Sequence, residues 1–408
     1  MSEQADIAII GAGAAGLFAG IWAGRTSRNR KIVMLDGAAK LGAKILVAGG
    51  GRCNVTHDVV DEMAYAGASR NAIRKVLRRF DVPETITFFR ELGVELKRED
   101  TGKLFPTTDS ARTVLDALLR AAQDAGVEVR YPRRVETVER AGDSLVIRGA
   151  WGSISARQVV LATGGKALPK SGSDGHGYTI AQSLGHSLTE HIFPALVPLL
   201  LPDGHFLRDL SGISADAALT VHAASGKAIL SFSGSTLCTH FGLSGPAPLD
   251  ISRYYTAARC DDSGAWLAIN WLPGTTAETW EAYIMAHPKE GALKYLHQRL
   301  PDRLARALLA ETGVEAGTVF GALTREARRR LVQTVTALRL PITGDRGYTY
   351  AEVTAGGVPL TEIRLETMES RVCPGLHLCG EICDVDGRIG GYNFQWAWAS
   401  GYVAGISL

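Results

Sequence analysis

Near the start of the chain, Gly11-x-Gly13-x-x-Gly16 is followed by an acid, Asp36, 20 residues after the third glycine. Glycines at that spacing suit a turn between a strand and a helix on which a diphosphate can rest. The first permits the tight turn, the second lets the backbone approach the phosphates, and the third lets helix and strand pack closely. The helix N-terminus adds unpaired N–H groups and a partial positive charge. A carboxylate at Asp36 is placed to accept two hydrogen bonds from ribose hydroxyls and to repel a 2′-phosphate, so the pattern implies FAD or NAD rather than NADP. Other groups able to do chemistry stand in Gly-rich stretches far away in sequence: Arg52, Cys53, Asn54 and His57; Thr163 and Gly164; and Glu381, Asp386, Arg388, Tyr392 and Asn393.

Those residues need elements to hold them. Residues 6–10 read as a strand entering the glycine turn, then an Ala-rich helix ending near Gly24, then a second strand over 31–36, which makes a βαβ unit. Amphipathic helices are expected near 71–80 and 84–92, and a third from Ser110 as N-cap to Gly126. Val127–Arg130 reads as a third parallel strand, 134–140, 143–149 and 152–158 as a small antiparallel meander, and 158–165 as a separate buried strand. Residues 195–253 carry strand alternation and 276–338 helical periodicity, and the strand–loop–helix style returns beyond 350. The expectation is an α/β protein. Its nucleotide-binding Rossmann domain spans 1–189 and 350–408, interrupted by an insert at 190–349.

Composition narrows the function. The 408 residues are 46% hydrophobic and 21% charged, the profile of a globular chain with a sizeable core rather than a disordered one. Forty-four basic against 42 acidic residues leave a net charge of +2, without the basic surplus of a typical nucleic-acid binder. Arg325, Arg328, Arg329 and Arg330, with Arg303 and Arg306, are diluted by Glu278, Glu281 and Glu311. No nucleic-acid partner is therefore expected. The uncharged stretch 7–24 follows Glu3 and Asp6 and is broken by five glycines, which argues against an export signal or a membrane span. The expected compartment is the cytoplasm. The six cysteines make no CxxC pair, and no metal is expected even at His377, Cys379 and Cys383. No GxSxG and no GxxxxGK[ST] occurs, so hydrolase and phosphoryl-transfer readings fail.

Several Gly-rich loops at separate strand ends suit a long ligand with a flavin and a ribityl chain, which favours FAD over NAD. Glu381, with Asp386 as second candidate, can accept a ribityl hydrogen bond. Arg52 can offset diphosphate charge, and Asn54 and Asn393 carry amides suited to flavin edges. With one dinucleotide fingerprint filled by FAD, NAD(P)H is left to bind transiently as an electron donor.

At this point the sequence resembles the BaiN-like flavoproteins, also labelled the aminoacetone-oxidase family. The resemblance rests on Gly-Ala-Gly-Ala-Ala-Gly at 11–16, Gly-Gly-Gly-Arg-Cys-Asn-Val-Thr at 49–56, Ala-Thr-Gly-Gly at 162–165 and Gly-Leu-Ser-Gly-Pro-Ala at 242–247. It continues with Val-Thr-Ala-Gly-Gly-Val at 353–358, Thr-Met-Glu-Ser at 367–370 and the long block 380–397. It implies a glutathione-reductase-like FAD domain split by an insert, with a small β-barrel about 190–255 and 335–349 and a helical part about 276–334. It implies cofactor contacts at Gly11, Gly13, Ala14, Ala15, Gly16, Asp36, Gly37, Lys44, Gly51, Arg52, Cys53, Asn54 and Val135. Further contacts are implied at Gly380, Glu381, Asp386, Gly391, Tyr392, Asn393 and Phe394, and the Gly-rich loop 163–165 adds Thr163 and Gly164. Ser173-Asp-Gly-His-Gly177 also looks like the wider fumarate-reductase clan. The implied activity is FAD-dependent oxidation or reduction of a small organic substrate, at an activated C=C bond or an amine. Arg388 is a candidate to polarise a substrate carbonyl, and Tyr392 or His57 to move a proton. The rivals are a tRNA-modifying flavoprotein and a flavin-binding sensor without turnover. The oligomeric state is not legible.

Overall fold

The computed structural model describes residues 3–27 and 29–408. The chain divides into two compact units, Met1–Pro194 with Glu352–Leu408, and Ala195–Ala351.

In the first unit the chain runs through β1 (Glu3–Ile10), α1 (Ala14–Thr26), β2 (Ile32–Leu35), α2 (Ala43–Gly51), α3 (Ala111–Asp124), β3 (Val127–Arg130), β4 (Gly152–Leu161), β5 (Leu376–Leu378) and α4 (Tyr392–Ile406). The strands lie in the order β5-β4-β1-β2-β3, all parallel, and two short antiparallel strands extend the β5 edge. The chain builds outward from β1 to β3, then returns to the other side of β1 as β4. That reversal opens a crevice at the carboxyl ends of β1 and β4, where open α/β sheets bind ligands. Residues 152–158 and 158–165, read from sequence as two strands, are one: the first half of β4 pairs with the meander strand Ser144–Gly149 while its length runs beside β1. The polar pair Arg157-Gln158 contains no turn residue, and the strand continues through it.

Helix α1 is buried almost all round because α4 covers it. A Cβ on Gly401 would lie 2.6 Å from the Ala15 carbonyl oxygen, so the first and last helices touch backbone to backbone. Aromatic rings seal the contact, with Phe18 and Trp398 at 5.1 Å and Phe80 and Tyr402 at 4.9 Å between centroids. The two ends of the polypeptide thus share one core. The apolar stretch 7–24 is a strand, a turn and a helix inside it, and no helix among the described residues is long and apolar enough to cross a membrane.

At the open edge, Arg130 on β3 reaches across to Glu3 on β1 with two 2.7 Å hydrogen bonds, and Lys31 adds a third at 2.7 Å. These cations, Arg130 first, hold the Glu3 carboxyl down at about 2. A lowered carboxyl pKa stabilises the fold above the ordinary value of 4.5, and that stability is lost as pH falls through about 2. Arg130→Met is therefore expected to melt below wild type at neutral pH, by about 1 kcal/mol or less for so exposed a cluster. The gap should close as thermal melts are repeated from pH 4.5 toward 2.

The second unit has its own core, including Trp271, Trp280, Leu304, Leu308 and Leu331. Its seven strands form one antiparallel sheet that begins at Leu338–Leu340 and ends at Gly344–Asp345. Six inter-strand steps laid flat span about 29 Å, whereas the link 341–343 reaches at most about 14 Å. The sheet must therefore curl back toward its start. Four helices over 277–336 follow the periodicity seen in the sequence. One element differs: the strand pattern read to residue 253 gives way to a helix, Pro246–Asp261. Its prolines fall in the first turn, where N–H groups have no intrahelical acceptor and proline is tolerated.

Candidate functional site

The crevice at the ends of β1 and β4 opens into a cavity of about 1180 Å³ lined only by the first unit. That exceeds the roughly 300–1,000 Å³ typical of small-ligand pockets. Gly11 has φ +105°, and a Cβ there would sit 2.4 Å from the Ala162 oxygen. One on Gly16 would lie 1.9 Å from the Gly11 oxygen. Gly13 is different: its Cβ would meet nothing within 4 Å, because it faces the cavity at the N-cap of α1. The turn and the helix start thus form a bare cradle with N–H groups toward the void.

Asp36, at the end of β2, lines the cavity and also fixes the cradle. Its two oxygens accept 2.7 Å hydrogen bonds from the Ala12 and Ala38 N–H groups. The carboxylate holds the loop as well as facing the ligand space, and each oxygen keeps a second lone pair.

Three buried polar atoms on residues lining this space have no hydrogen-bond partner among the described residues: Asn54 Oδ1, Thr163 Oγ1 and Ser173 Oγ. An unpaired buried polar atom costs about 1–3 kcal/mol, so three around one cavity fit a ligand rich in hydroxyl, amide or ring-nitrogen groups. FAD has all of these, and its diphosphate matches the cradle. Lys44 lies 2.5 Å from Glu381, whose other oxygen accepts from the Thr354 N–H at 2.9 Å, so an oriented ion pair lines the cavity. Gly390, Gly391, Asn393 and Phe394 bring the N-terminus of α4 to the lining.

Of the residues singled out from the sequence, Gly11, Gly13, Ala14, Ala15, Asp36, Gly37, Lys44, Arg52, Asn54 and Val135 line the cavity. So do Thr163, Gly164, Gly380, Glu381, Arg388, Gly391, Asn393 and Phe394. Gly16, Gly51, Cys53, His57, Asp386 and Tyr392 are not on the lining. Asn393 lines the space but uses its amide on the loop, accepting from the Gly387 N–H at 2.8 Å and donating to the Gly387 oxygen at 2.9 Å. Arg52 pairs with Glu99 at 2.6 Å and stacks over Phe105 at 4.0 Å. Cys53 is fully buried, and loss of solvent pushes its thiol up to about 12, which disfavours the thiolate. His57 contacts the Thr101 oxygen through Nε2 and the Val59 N–H through Nδ1, and its ring stacks on Tyr392 at 5.0 Å. Asp386 is buried in a short strand against residues 65–67. His377 turns its ring to the Thr367 oxygen and the Gln158 side chain.

Sequence reasoning missed Lys103, Phe105 and Glu99 on the lining, together with Ser173 as a partnerless hydroxyl. The first two sit on a short strand, Lys103–Pro106, whose charged hairpin partner Leu96–Arg98 gives little alternation to detect.

Comparison with known proteins agrees with this geometry. The model of the HI0933-like protein Rossmann domain matches residues 5–407. A 3-dehydro-bile acid delta(4,6)-reductase of Clostridium scindens is 34% identical over 98% of both chains. A ribosomal RNA dihydrouridine synthase of Escherichia coli is 35% identical over 100% of this chain and 98% of its own, and one of Haemophilus influenzae is 32% identical over 100% and 99%. Among solved structures, a 3-ketosteroid delta1-dehydrogenase from Sterolibacterium denitrificans has a TM-score of 0.52 at 13% identity, covering 99% of both chains, a likeness of fold. End-to-end agreement of sequence, with the cradle, the acid and the partnerless polar groups in one cavity, leads to one conclusion: the chain belongs to the HI0933-like Rossmann family of FAD-binding proteins and is a flavin-dependent oxidoreductase.

Proposed function

We propose that the protein reduces a carbon–carbon double bond conjugated to a carbonyl. The observation that carries this reading is the lining of the cavity, which beside the phosphate cradle includes Lys103, Phe105, Arg388 and the Arg52–Glu99 pair. Cations beside an apolar ring surface suit a flat substrate whose carbonyl gains negative charge during reduction. The names of the relatives support it. A delta(4,6) bond beside a 3-oxo group and the double bond lost when uridine becomes dihydrouridine are both conjugated carbonyl systems. Amine oxidation has no such support.

Bound FAD would supply hydride chemistry from its ring. The chain's own part starts with the cradle at 11–15 and Asp36, which bind the diphosphate and adenosine ribose. Lys44 and Glu381 orient the ribityl stretch, and Asn54, Thr163 and Ser173 take up the remaining hydrogen bonds. Arg388 polarises the substrate carbonyl. His57 and Tyr392, stacked together and off the lining, act through the placement of the 388–391 loop. NAD(P)H is the proposed electron donor, bound transiently.

The ring that carries the double bond is proposed to be either a small oxo-compound or a uracil in RNA. The uracil reading is favoured by two relatives, 35% and 32% identical, named for ribosomal RNA. A near-zero net charge weighs little against it, because few phosphates flank a single base. The test is to reduce the FAD-loaded protein anaerobically with NADH or NADPH. It is then mixed with a steroid dienone acid, a simple enone or a uridine-containing ribosomal RNA fragment. Rapid flavin reoxidation by at least one is expected, and the responding acceptor names the substrate class. Reoxidation by oxygen alone would overturn the proposal.

A further inference from the structure

Hydride addition to the β-carbon of a conjugated carbonyl leaves an enolate, and the α-carbon must then take a proton. We propose that Lys103 donates it. The inference rests on the conjugated-bond reading above, in which no residue yet supplies this proton.

The acids around the cavity can be taken in turn. Lys44 is held by Glu381 at 2.5 Å, Arg52 by Glu99 at 2.6 Å and Arg134 by Asp174 at 2.7 Å. A guanidinium does not release its proton in a protein, which removes Arg52, Arg134 and Arg388 in any case. His176 Nε2 is 2.8 Å from the Glu136 backbone carbonyl oxygen. Lys40 and Lys170 are exposed. Their segments meet where a Cβ on Gly172 would lie 3.9 Å from Ala38, beside Asp36 and the ribose end. Lys103 remains. It lines the cavity, is half-buried, and its ammonium makes no hydrogen bond or ion pair among the described residues. A cation drawn from water without an acceptor is costly unless a ligand compensates it.

The local fold aims it. Alternation along the strand Lys103–Pro106 sends Leu104 into the core, 5% exposed, and turns Lys103 and Phe105 to the cavity. The strand is fixed on both edges, by Leu96–Arg98 and by Thr56–His57. Lys103 Cε lies 3.7 Å from where a Cβ on Gly390 would be, so the ammonium stands beside the loop that carries Arg388. Two cations with different chemistry thus line the cavity, one on the 388–391 loop and one beside it. As hydride adds to the β-carbon, the C=C electrons move to oxygen and Arg388 stabilises the enolate. The enolate electrons then form the new C–H bond with a proton from Lys103 Nζ, and the neutral amine regains a proton from solvent.

The test uses FAD-loaded wild type, Lys103→Gln and Lys103→Arg, reduced with dithionite without oxygen and mixed in D2O with the acceptor that wild type reduces. Both variants should hold FAD and melt close to wild type, since no side-chain hydrogen bond or ion pair among the described residues is lost. Each should reoxidise at least about 100-fold more slowly at saturating acceptor, with Lys103→Arg keeping the acceptor affinity. Deuterium, which wild type places on one face of the α-carbon, should appear on both faces as water substitutes. If Lys103→Gln loses FAD, Lys103→Arg decides on the same readouts. Unchanged rates with single-face deuterium would overturn the proton assignment alone. No reoxidation of wild type by any conjugated acceptor would overturn the conjugated-bond reading, and this assignment with it.

Discussion

Gly13→Asp should fold and melt at least as well as wild type yet emerge without FAD, whereas Gly16→Val should not fold. The contrast separates the two uses of one motif. Gly13 is the N-cap of α1 with φ −81° and ψ −171°, an extended conformation that any residue adopts, and no protein atom lies within 4 Å of its missing Cβ. Asp is a favoured N-cap, so the apo fold gains a capping side chain. That side chain would occupy the space proposed for the diphosphate, and juxtaposed like charges cost several kcal/mol, a loss of at least about 100-fold in FAD affinity. At Gly16 the missing Cβ would be 1.9 Å from a backbone oxygen, so α1 must leave β1. The cost exceeds the roughly 1–3 kcal/mol of ordinary overpacking, and α1 also supports α4. Thermal melts with and without added FAD, beside flavin absorbance, check both variants. A Gly13→Asp protein that retains FAD would remove the phosphate cradle from the account.

The second large effect is expected at Asp36. Asp36→Ala deletes two 2.7 Å charge-assisted hydrogen bonds at once and strands the N–H of Ala12, a residue 1% exposed. Hydrogen bonds to charged groups are worth about 1.5–3 kcal/mol each, so a loss of roughly 3 kcal/mol or more is predicted in urea unfolding of the apo protein. FAD affinity should fall as well, since Ala12 lies inside the glycine turn. Asp36→Asn keeps one acceptor oxygen and should lie between Asp36→Ala and wild type. An Asp36→Ala protein as stable as wild type would mean that the acid serves the ligand alone.

The nucleotide half of the site was legible because its logic is local. The turn at 11–16, the helix it starts and the acid at 36 are consecutive along the chain, and each residue type follows from one constraint. The parallel strand Val127–Arg130 and the helix begun at Ala111 were legible for the same reason, through burial periodicity and a stop at Gly126. The substrate end was not. Lys103 and Phe105 reach the cavity through a short charged hairpin without clear alternation, and residues 388–394 arrive from the far end of the chain. Asn393 shows the limit from the other side. Its amide suits a flavin edge by type, but only the fold reveals that the Gly387 backbone already holds it. His57 and Tyr392 likewise have the right chemistry, and packing sets their rings against each other behind the wall.

The cavity as an FAD site is the claim beneath all of these. The direct measurement is the flavin content of the purified wild-type protein, by visible absorbance and by release of the cofactor on denaturation. The account predicts a yellow protein with one FAD per chain. A well-folded, colourless protein that takes up no FAD in titration would contradict it.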